Sequence, residues 1–402
     1  WDTDCNIGNL ATILGVRGGL AGLDISELRD PINDFYVCSS VMGSLNIMDI
    51  PYGALYLAKL AWQLAGEKLP EPWNEIASKR IHSCHFEFAG STHAMLARTE
   101  NAPEKEKEEI CLKNTDEAAF TGKRSLKAIL RRAIPGTRLY LYKKTYLYPQ
   151  DFHNSRYDPS FSPLLYPGQT LHGSVFIPEY GFECRARLYV RREGGEVHCE
   201  GMPVAIKPGE WKKLEFKIPR IEGGLLDEAG FMIDVCGDFR DPASLVCMID
   251  DFYFDGGADY SIDFSKAKKE AWSAKRVEVS QFTRLKGLLY LEGKELHLSC
   301  SDFGEAYTGR YDWKDYTAEF CLCPLTGRSH MVNIRVQGAI RSYAAGFADN
   351  GKLVLCKNEN GYRELASTDF AWETGRHYQI TFEAKGPELA VSVDGTEFIR
   401  YT

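Results

Sequence analysis

The apolar residues of the first 78 positions follow helical spacing. After Asn6, apolar side chains recur three or four positions apart in two series: Ile7, Leu10 and Leu14, then Ile13, Val16 and Leu20. This periodicity predicts a helix, and a stripe of glycines along it predicts that another helix packs very close. A further helix is predicted to begin at the N-cap Asp49, with Pro51 in its first turn, and to end at Gly66.

The pattern changes from about residue 79 onward, where apolar and polar residues alternate in short runs. Runs such as "QTLHGSVFIP", "ARLYVRR" and "GFMIDVCG" are separated by glycine and proline, which is typical of antiparallel β-sandwiches. The stretch "DGGADYSIDF" is predicted to join two β-sandwiches, and similar alternating runs continue after it to residue 402. The pattern therefore predicts a multidomain α and β chain: a partial all-α segment over residues 1–78, a jelly-roll β-sandwich over 79–257 and a second β-sandwich over 258–402.

Composition narrows the class of partner without choosing a function. The 402 residues carry a formal net charge of -8, which argues against nucleic-acid binding because such proteins usually present a basic surface. No run of about 18 apolar residues is present, so we expect no membrane-spanning segment and no membrane partner. Twelve scattered cysteines without a C-x-x-C pair indicate reduced thiols and predict a cytoplasmic location.

Two acids and an amide open the chain in the pattern Asp2-x-Asp4-x-Asn6. A calcium loop of the EF-hand type needs glycine at its sixth position and glutamate at its twelfth. Ile7 and Ile13 stand at those positions, so the calcium loop is excluded. From these residues alone, the acids either bind another metal ion or cap the helix that follows.

The segment "WDTDCNIGNLATILGVRGGLAGL" resembles the C-terminal metal motif of the ADP-ribosylglycohydrolases, all-α enzymes that carry two magnesium ions. The segments "LRDPINDFYV" and "HFEFAGSTH" resemble later parts of longer bacterial members, so the resemblance covers about the first 95 residues. It implies that Asp2, Asp4 and Asn6 help to bind Mg²⁺ in the complete enzyme. It also implies cleavage of a glycosidic bond in an ADP-ribosylated protein or an ADP-ribose-like small molecule.

This sequence departs from that family in two ways. Cys5 stands where the family commonly has threonine, and a neutral thiol is a poor magnesium ligand. The family's remaining metal ligands and its general acid/base come from an N-terminal half that does not precede Trp1 in this sequence. We therefore expect a C-terminal fragment of such an enzyme, inactive as given, whose catalytic residues lie in the missing half.

Both predicted sandwiches also resemble binding modules. The segments "TGKRSLKAI" and "MIDDFYFDGG" are similar to the first and last strands of carbohydrate-binding jelly rolls. That resemblance implies a structural Ca²⁺ at Asp250 or Asp251, unless these are plain turn and edge acids. Four alternating tyrosines either line a sugar-binding face or pack between strands: Tyr140, Tyr142, Tyr146 and Tyr148. The third region resembles concanavalin-like or laminin G-like sandwiches, in which a concave binding face would comprise Arg335, Gln337, Arg341 and Tyr343.

A group of histidines and one cysteine lies at the start of the predicted β region: His82, Cys84, His85 and His93. Its spacing matches no standard zinc site, and alternation along a strand would divide the group between two faces. The pattern therefore favours structural roles, with His93 placed at a domain interface as the remaining alternative.

Two functions of different class fit the sequence. The first is a fragment of a magnesium-dependent ADP-ribosyl hydrolase with accessory β-sandwiches. The second is a non-catalytic carbohydrate-binding or adhesion protein that binds glycan through its two sandwiches.

Overall fold

The computed structural model of the chain consists of two compact units. The described residues are 3–19, 22, 29–79, 81–102, 110–152, 159–179, 181–192, 195, 197–221, 225–273, 275–349 and 351–402. The first unit comprises residues 1–38, 47–154 and 163–267, and the second comprises residues 39–46, 155–162 and 268–402.

The described helices of the first unit precede most of its strands: α1 (Asp4–Gly18), α2 (Ile50–Leu64) and α3 (Trp73–Lys79). The predicted cap of α2 is confirmed, because the Asp49 carboxylate accepts the Tyr52 N–H at 2.8 Å and Pro51 lies in the first turn. At 15 residues each, α1 and α2 are shorter than a bilayer-crossing helix, and no helix in the described part of the chain meets that requirement.

The expected all-α N-terminal segment is wrong. Two short strands, β1 (Phe35–Val37) and β2 (Ile47–Asp49), pair antiparallel within it. No described residue of α1 is buried, and a Cβ at Gly8 would find no atom within 4 Å, so the glycine stripe packs on no described helix. Helix α2 instead contacts strand residues, since Tyr52 stacks on His82 with ring centroids 4.3 Å apart. Helices α2 and α3 share only a small apolar cluster around Leu55, Leu69 and Ile76, and the segment also contains strands, so it is not all-α.

Antiparallel strands in two sheets make up most of the first unit. They are β3 (Ile81–Cys84), β4 (Leu96–Glu100), β5 (Ile110–Thr115), β6 (Ser125–Ala133), β7 (Arg138–Lys144), β8 (Thr170–Phe176), β9 (Cys184–Arg192), β10 (Val197–Glu200), β11 (Val204–Ile206), β12 (Trp211–Lys217), β13 (Leu226–Val235) and β14 (Ala243–Asp255). Sheet I has the order β10-β9-β13-β7-β4 with β11 beside β9, and sheet II has the order β12-β8-β14-β6-β5 with β3 beside β14. The β-sandwich predicted for this part of the chain is confirmed.

The inner faces of sheets I and II form the core of this sandwich. Phe231 of sheet I is fully buried, and its ring lies 5.2 Å from that of Phe252 in sheet II. A Cβ at Gly173 would lie 2.4 Å from the Phe231 ring, so glycine at this position lets the two sheets approach. Because strand side chains alternate between faces, the neighbours of these core residues project from the outer face of each sheet.

The second unit is also built from antiparallel strands. They are β15 (Lys269–Ser273), β16 (Arg276–Val279), β17 (Thr283–Lys286), β18 (Leu288–Glu292), β19 (Glu295–Ser299), β20 (Glu305–Tyr307), β21 (Tyr316–Leu322), β22 (His330–Gly338), β23 (Arg341–Ala348), β24 (Lys352–Glu359), β25 (Tyr362–Asp369), β26 (Tyr378–Lys385), β27 (Glu388–Val393) and β28 (Thr396–Tyr401). Two four-stranded sheets have the orders β22-β23-β24-β25 and β21-β26-β27-β28. Phe347, Tyr378 and Phe382 lie in the apolar core that both sheets line.

A buried ion pair joins the N-terminal segment to sheet I within the first unit. The side chains of Asp49 and Lys143 are 0% and 6% exposed, and Lys143 Nζ donates to Asp49 Oδ2. His93 Nδ1 lies 3.0 Å from the other carboxylate oxygen, Oδ1, which also caps α2. Cys84 Sγ lies 4.0 Å from Lys143 Nζ. One carboxylate thus connects α2, His93 and strand β7.

The charges of this cluster follow from burial and pairing. Burial raises the pKa of Asp49, but Lys143 and His93 more than offset that effect and hold the pKa far below its usual value. Burial lowers the pKa of Lys143, whereas the Asp49 carboxylate raises it to a net value above the usual range. Burial also raises the pKa of the Cys84 thiol to about 12, so the thiol is neutral at physiological pH.

Replacing Lys143 with methionine is expected to lower the free energy of unfolding by about 3–5 kcal/mol near neutral pH, because Asp49 is left charged and buried. In the wild type, the lowered Asp49 pKa stabilises the fold above the usual carboxyl pKa of about 3.9 and this contribution is lost as the pH falls. In Lys143→Met, burial is no longer offset by the lysine and raises the Asp49 pKa, so protonation at lower pH relieves the penalty and the loss should shrink towards about pH 4. Urea denaturation of the full chain at both pH values measures the difference.

The double variant Asp49→Asn/Lys143→Met is the matched control, since asparagine keeps the helix cap without the charge. We expect it to recover most of the lost stability. An equal loss at both pH values, together with no recovery in the double variant, would show that the pair is not the source of the effect.

Candidate functional site

Three tyrosines, an arginine and a glutamate cluster on the outer face of sheet I. We call these five residues the tyrosine face: Tyr140, Tyr142, Tyr189, Arg98 and Glu228. Strand pairing places Arg98 of β4 beside Tyr140 of β7, while Tyr142 and Tyr189 flank Gly230 of β13 from either side. A Cβ at Gly230 would lie 2.1 Å from the Leu141 carbonyl oxygen, so only glycine fits between these strands.

The Arg98 guanidinium covers the tyrosine rings. Its central carbon lies 4.3 Å from the ring centroid of Tyr140, 4.6 Å from that of Tyr142 and 6.0 Å from that of Tyr189, within the range of cation–π attraction. The Tyr140 and Tyr189 rings meet edge to face at 5.2 Å and are buried, whereas Tyr142 is half-buried. Tyr142 is therefore the ring of this face that solvent reaches.

The buried Glu228 carboxylate balances the charge of Arg98. Its Oε1 lies 2.7 Å from Arg98 Nη1 and accepts the Tyr189 hydroxyl at 2.5 Å, and its Oε2 lies 3.0 Å from Arg191 Nη2. Burial, with Glu228 next in importance, raises the pKa of Tyr189 well above its usual value. The Tyr189 phenol therefore stays protonated and acts as a fixed hydrogen-bond donor.

Further ion pairs extend the polar surface towards β10. Arg138 Nε donates to Asp234 Oδ1 at 2.5 Å, and Arg187 Nη2 pairs with Asp234 Oδ2. Arg187 Nη1 also donates to Glu200 Oε1 at 2.8 Å. Burial raises the pKa of Asp234, but the two arginines lower it on balance, so this carboxylate is ionised. Guanidinium and carboxylate groups thus alternate along the outer surface.

This surface places hydrogen-bonding groups around an accessible aromatic ring. The side chains of Arg98 and Arg138 are 28% and 34% exposed, beside half-buried Tyr142. Glu100, which is 52% exposed, accepts the Tyr140 hydroxyl at 2.9 Å. An aromatic surface with a few fixed donors and acceptors suits a ligand that has an apolar side and several hydroxyls.

The residues of the predicted magnesium site are only partly described. Asp2 lies outside the described residues, while Asp4 and Asn6 are exposed on α1. Asp4 Oδ1 accepts the N–H of Cys5 at 2.7 Å. No group of three His, Cys, Asp or Glu side chains that could hold a metal ion occurs within the described ranges. Magnesium binding at these residues stays a prediction.

The predicted calcium ligand Asp250 fixes a loop to sheet II. Its Oδ2 accepts the N–H groups of Phe120 at 2.8 Å and Thr121 at 3.0 Å, and its Oδ1 accepts the N–H of Asp251 at 2.7 Å. These three hydrogen bonds satisfy much of the carboxylate's capacity as an acceptor. Calcium at Asp250 or Asp251 stays a prediction.

The predicted binding residues of the second unit lie on or beside one strand connection: Arg335, Gln337, Arg341 and Tyr343. Arg335 Nη2 donates to the Gly386 carbonyl at 2.9 Å and to Asp315 at 3.1 Å, so its guanidinium holds neighbouring loops. Tyr343 packs against the apolar core, whereas Gln337 and Arg341 are exposed. Their role as a binding face stays a prediction.

The sequence identified Tyr140 and Tyr142 as candidates but not the other members of the tyrosine face. Tyr146 and Tyr148, predicted to share their surface, are buried beyond the end of β7 with rings 5.1 Å apart. The signal for Tyr189 is the alternation in "CRARLYVRR", where every second side chain is polar. Arg98 and Glu228 carry no such local signal.

Several solved structures resemble parts of this chain. A carbohydrate-binding module of the β-sandwich superfamily is 15% identical, with a TM-score of 0.32, over 45% of this chain and 64% of its own length. The tandem CBM22-1–CBM22-2 domain of Paenibacillus barcinonensis Xyn10C is 14% identical, with a TM-score of 0.29, over 80% and 87% of the two chains. A xylan-binding CBM22 domain is 17% identical, with a TM-score of 0.28, over 44% and 94%.

These structural neighbours are carbohydrate-binding β-sandwiches. The sequence matches no protein-family model and no curated protein. With such low identities and TM-scores, the likeness establishes neither a ligand nor an activity for this chain. Neither these neighbours nor the described residues support an ADP-ribosylglycohydrolase portion or an ADP-ribosylated partner.

Replacing Arg98 with methionine is expected to lower the free energy of unfolding by about 2 kcal/mol, because the cation–π contacts are lost and buried Glu228 keeps only Arg191 as a cationic partner. Lys207→Met is the matched control, since Lys207 is 75% exposed and its ion pair with Glu210 lies at the surface. The control should change the unfolding free energy by less than about 0.5 kcal/mol. Equal effects of the two substitutions would argue against an energetic role for Arg98.

Proposed function

We propose that the chain is a non-catalytic carbohydrate-binding protein and that the tyrosine face of sheet I is its glycan-binding surface. The observation that carries this proposal is the half-buried ring of Tyr142 next to the fixed guanidinium of Arg98. A pyranose has an apolar C–H face and a ring of hydroxyls at its edge. The aromatic ring would contact the C–H face of the sugar, and the charged side chains would form hydrogen bonds with its hydroxyls.

Mutual ion pairing supports this role because it fixes the polar groups before a ligand arrives. Glu228 holds both Arg98 and Arg191, and Asp234 holds both Arg138 and Arg187. Side chains that are already ordered lose little conformational entropy on binding. The same surface can therefore offer several directed hydrogen bonds to sugar hydroxyls.

The charge state of the face favours binding over catalysis. Glycoside hydrolysis normally requires one carboxylic acid with a raised pKa and a second carboxylate opposite it. Despite partial burial, which raises it, the pKa of Asp234 is instead lowered by Arg138 and Arg187. This carboxylate is therefore not suited to donate a proton to a leaving oxygen.

The test is binding of soluble polysaccharides by the full chain, measured by affinity electrophoresis and by calorimetry. Xylan belongs in the panel because it is the ligand named for one structural neighbour. Tyr142→Ala is expected to weaken binding of the recognised glycan at least about tenfold, as is usual for a central aromatic contact. Tyr142→Phe, which keeps the ring, should retain most of the affinity.

Phe120→Ala is the matched control because Phe120 is 38% exposed in the same unit but does not lie on the tyrosine face. We expect this variant to bind like the wild type. Retention of full affinity by Tyr142→Ala, or failure of the wild type to bind any glycan in the panel, would contradict the proposed function.

A further inference from the structure

The second unit contains a polar pocket of about 260 Å³. Three serines from two separate segments, Ser39, Ser40 and Ser160, line part of it, and residues of β16 and β17 line the rest. Val41 is its apolar lining residue. Hydroxyl and charged groups therefore dominate the wall, which suits a small ligand with many hydrogen-bonding atoms.

The serine side of the pocket is held by the buried amide of Asn46. Asn46 Oδ1 accepts the Ser40 hydroxyl at 2.7 Å and the Ser40 N–H at 3.0 Å. Its Nδ2 donates to the Ser40 carbonyl at 2.8 Å and to the Ser160 carbonyl at 2.7 Å. One side chain thus joins the two segments and fixes the wall in place.

Two arginines and one glutamate form the charged side of the pocket. Glu278 is 5% exposed, and its Oε1 accepts Arg276 Nε at 3.0 Å and Arg284 Nη2 at 3.2 Å. Arg284 is 39% exposed and also donates to the Gly287 carbonyl at 2.8 Å. The formal charges of these two arginines and one glutamate add up to one net positive charge.

A buried hydroxyl beside this charged group gives a second, independent indication of a ligand. Thr283 lines the pocket and is 2% exposed, and its Oγ1 has no hydrogen-bond partner among the described residues. A Cβ at Gly43 would lie 2.6 Å from this oxygen, so glycine leaves room for it. Burial of a hydroxyl without a hydrogen-bond partner costs free energy, a cost that a bound polar group would remove.

We propose that this pocket binds one hexuronic acid unit, the negatively charged sugar of an acidic glycan. The single carboxylate of the sugar matches the net positive charge of the lining, and its hydroxyls match the serine, threonine and glutamate oxygens. Glu270 pairs with Glu278 across β15 and β16 but does not line the pocket. The proposal concerns the second unit and does not depend on the tyrosine face of the first.

Isothermal calorimetry on the full chain tests this proposal with D-glucuronate and D-galacturonate as probes. D-glucose tests the need for the carboxylate, and inorganic phosphate and sulfate test whether any anion suffices. We expect one of the two uronates to bind, with glucose, phosphate and sulfate at least about tenfold weaker. Equal binding of glucose would show that the pocket does not recognise the carboxylate. Equal binding of phosphate or sulfate would show that it binds anions without recognising the sugar. Either result would overturn the proposal. Absence of uronate binding would also overturn the proposal.

Two variants link that binding to the pocket. Arg284→Gln should weaken uronate binding at least about tenfold, the usual effect of losing a hydrogen bond to a charged group. Thr283→Val should weaken uronate binding without lowering the melting temperature, because it removes an unpaired buried hydroxyl at nearly constant shape. Arg400→Gln, at an exposed ion-paired arginine of the same unit, is the control and should bind like the wild type.

Unchanged affinity in both Arg284→Gln and Thr283→Val would place uronate binding elsewhere and overturn the proposal. Tyr142→Ala separates the two proposed sites. It should leave uronate binding unchanged while it weakens binding at the tyrosine face, so that failure of either proposal can be recognised without reference to the other.

Discussion

A carboxylate that is buried away from water needs an opposite charge beside it. In the first unit, Lys143 supplies that charge for Asp49. Each would be costly to bury alone, so the pair forms only when β2 and β7 come together. The same carboxylate caps α2 and contacts His93. This interaction attaches the N-terminal helices to a sandwich whose apolar core they do not fill. Apart from a small apolar cluster shared by α2 and α3, the helical segment therefore depends on its contacts with the sandwich.

The need to pair charges that are removed from water also determines the arrangement of the outer face of sheet I. Glu228 is shared by Arg98 and Arg191 beside the tyrosine rings, and Asp234 is shared in the same way by Arg138 and Arg187. Mutual pairing lets the charged groups remain ionised in a partly desolvated surface and holds their donors in fixed directions. The surface is therefore rigid and polar and retains one accessible aromatic ring. These properties follow from how its charges are satisfied.

Local patterns along the sequence predicted the elements better than their assembly. The Asp49 cap and the first β-sandwich followed from spacing and turn residues, because both depend on neighbours in the chain. The all-α segment failed because Phe35–Val37 and Ile47–Asp49 are too short for a periodic signal. Asp49 was predicted as a cap but not as the partner of Lys143, which lies 94 residues away. Such pairs depend on strand register, which a single sequence does not encode locally.

In the tyrosine face, too, local patterns identified some residues, whereas strand pairing brought in the others. Alternation identified Tyr140 and Tyr142, whereas the end of β7 at Lys144 directed Tyr146 and Tyr148 into the interior. Arg98 joins the face only through the pairing of β4 with β7, and Glu228 only through β13. The polar pocket of the second unit likewise combines serines near residues 40 and 160 with arginines near 280. No local motif unites residues so far apart in sequence.

The most direct test of the central claim is nuclear magnetic resonance of the arginine side chains during titration with the recognised glycan. If sugar binds to the tyrosine face, the Nε–H signals of Arg98 and Arg138 should shift in proportion to occupancy. The signals of Arg335 and Arg400, in the second unit, should not move. Shifts confined to arginines away from sheet I, or no shifts at saturating glycan, would contradict the account.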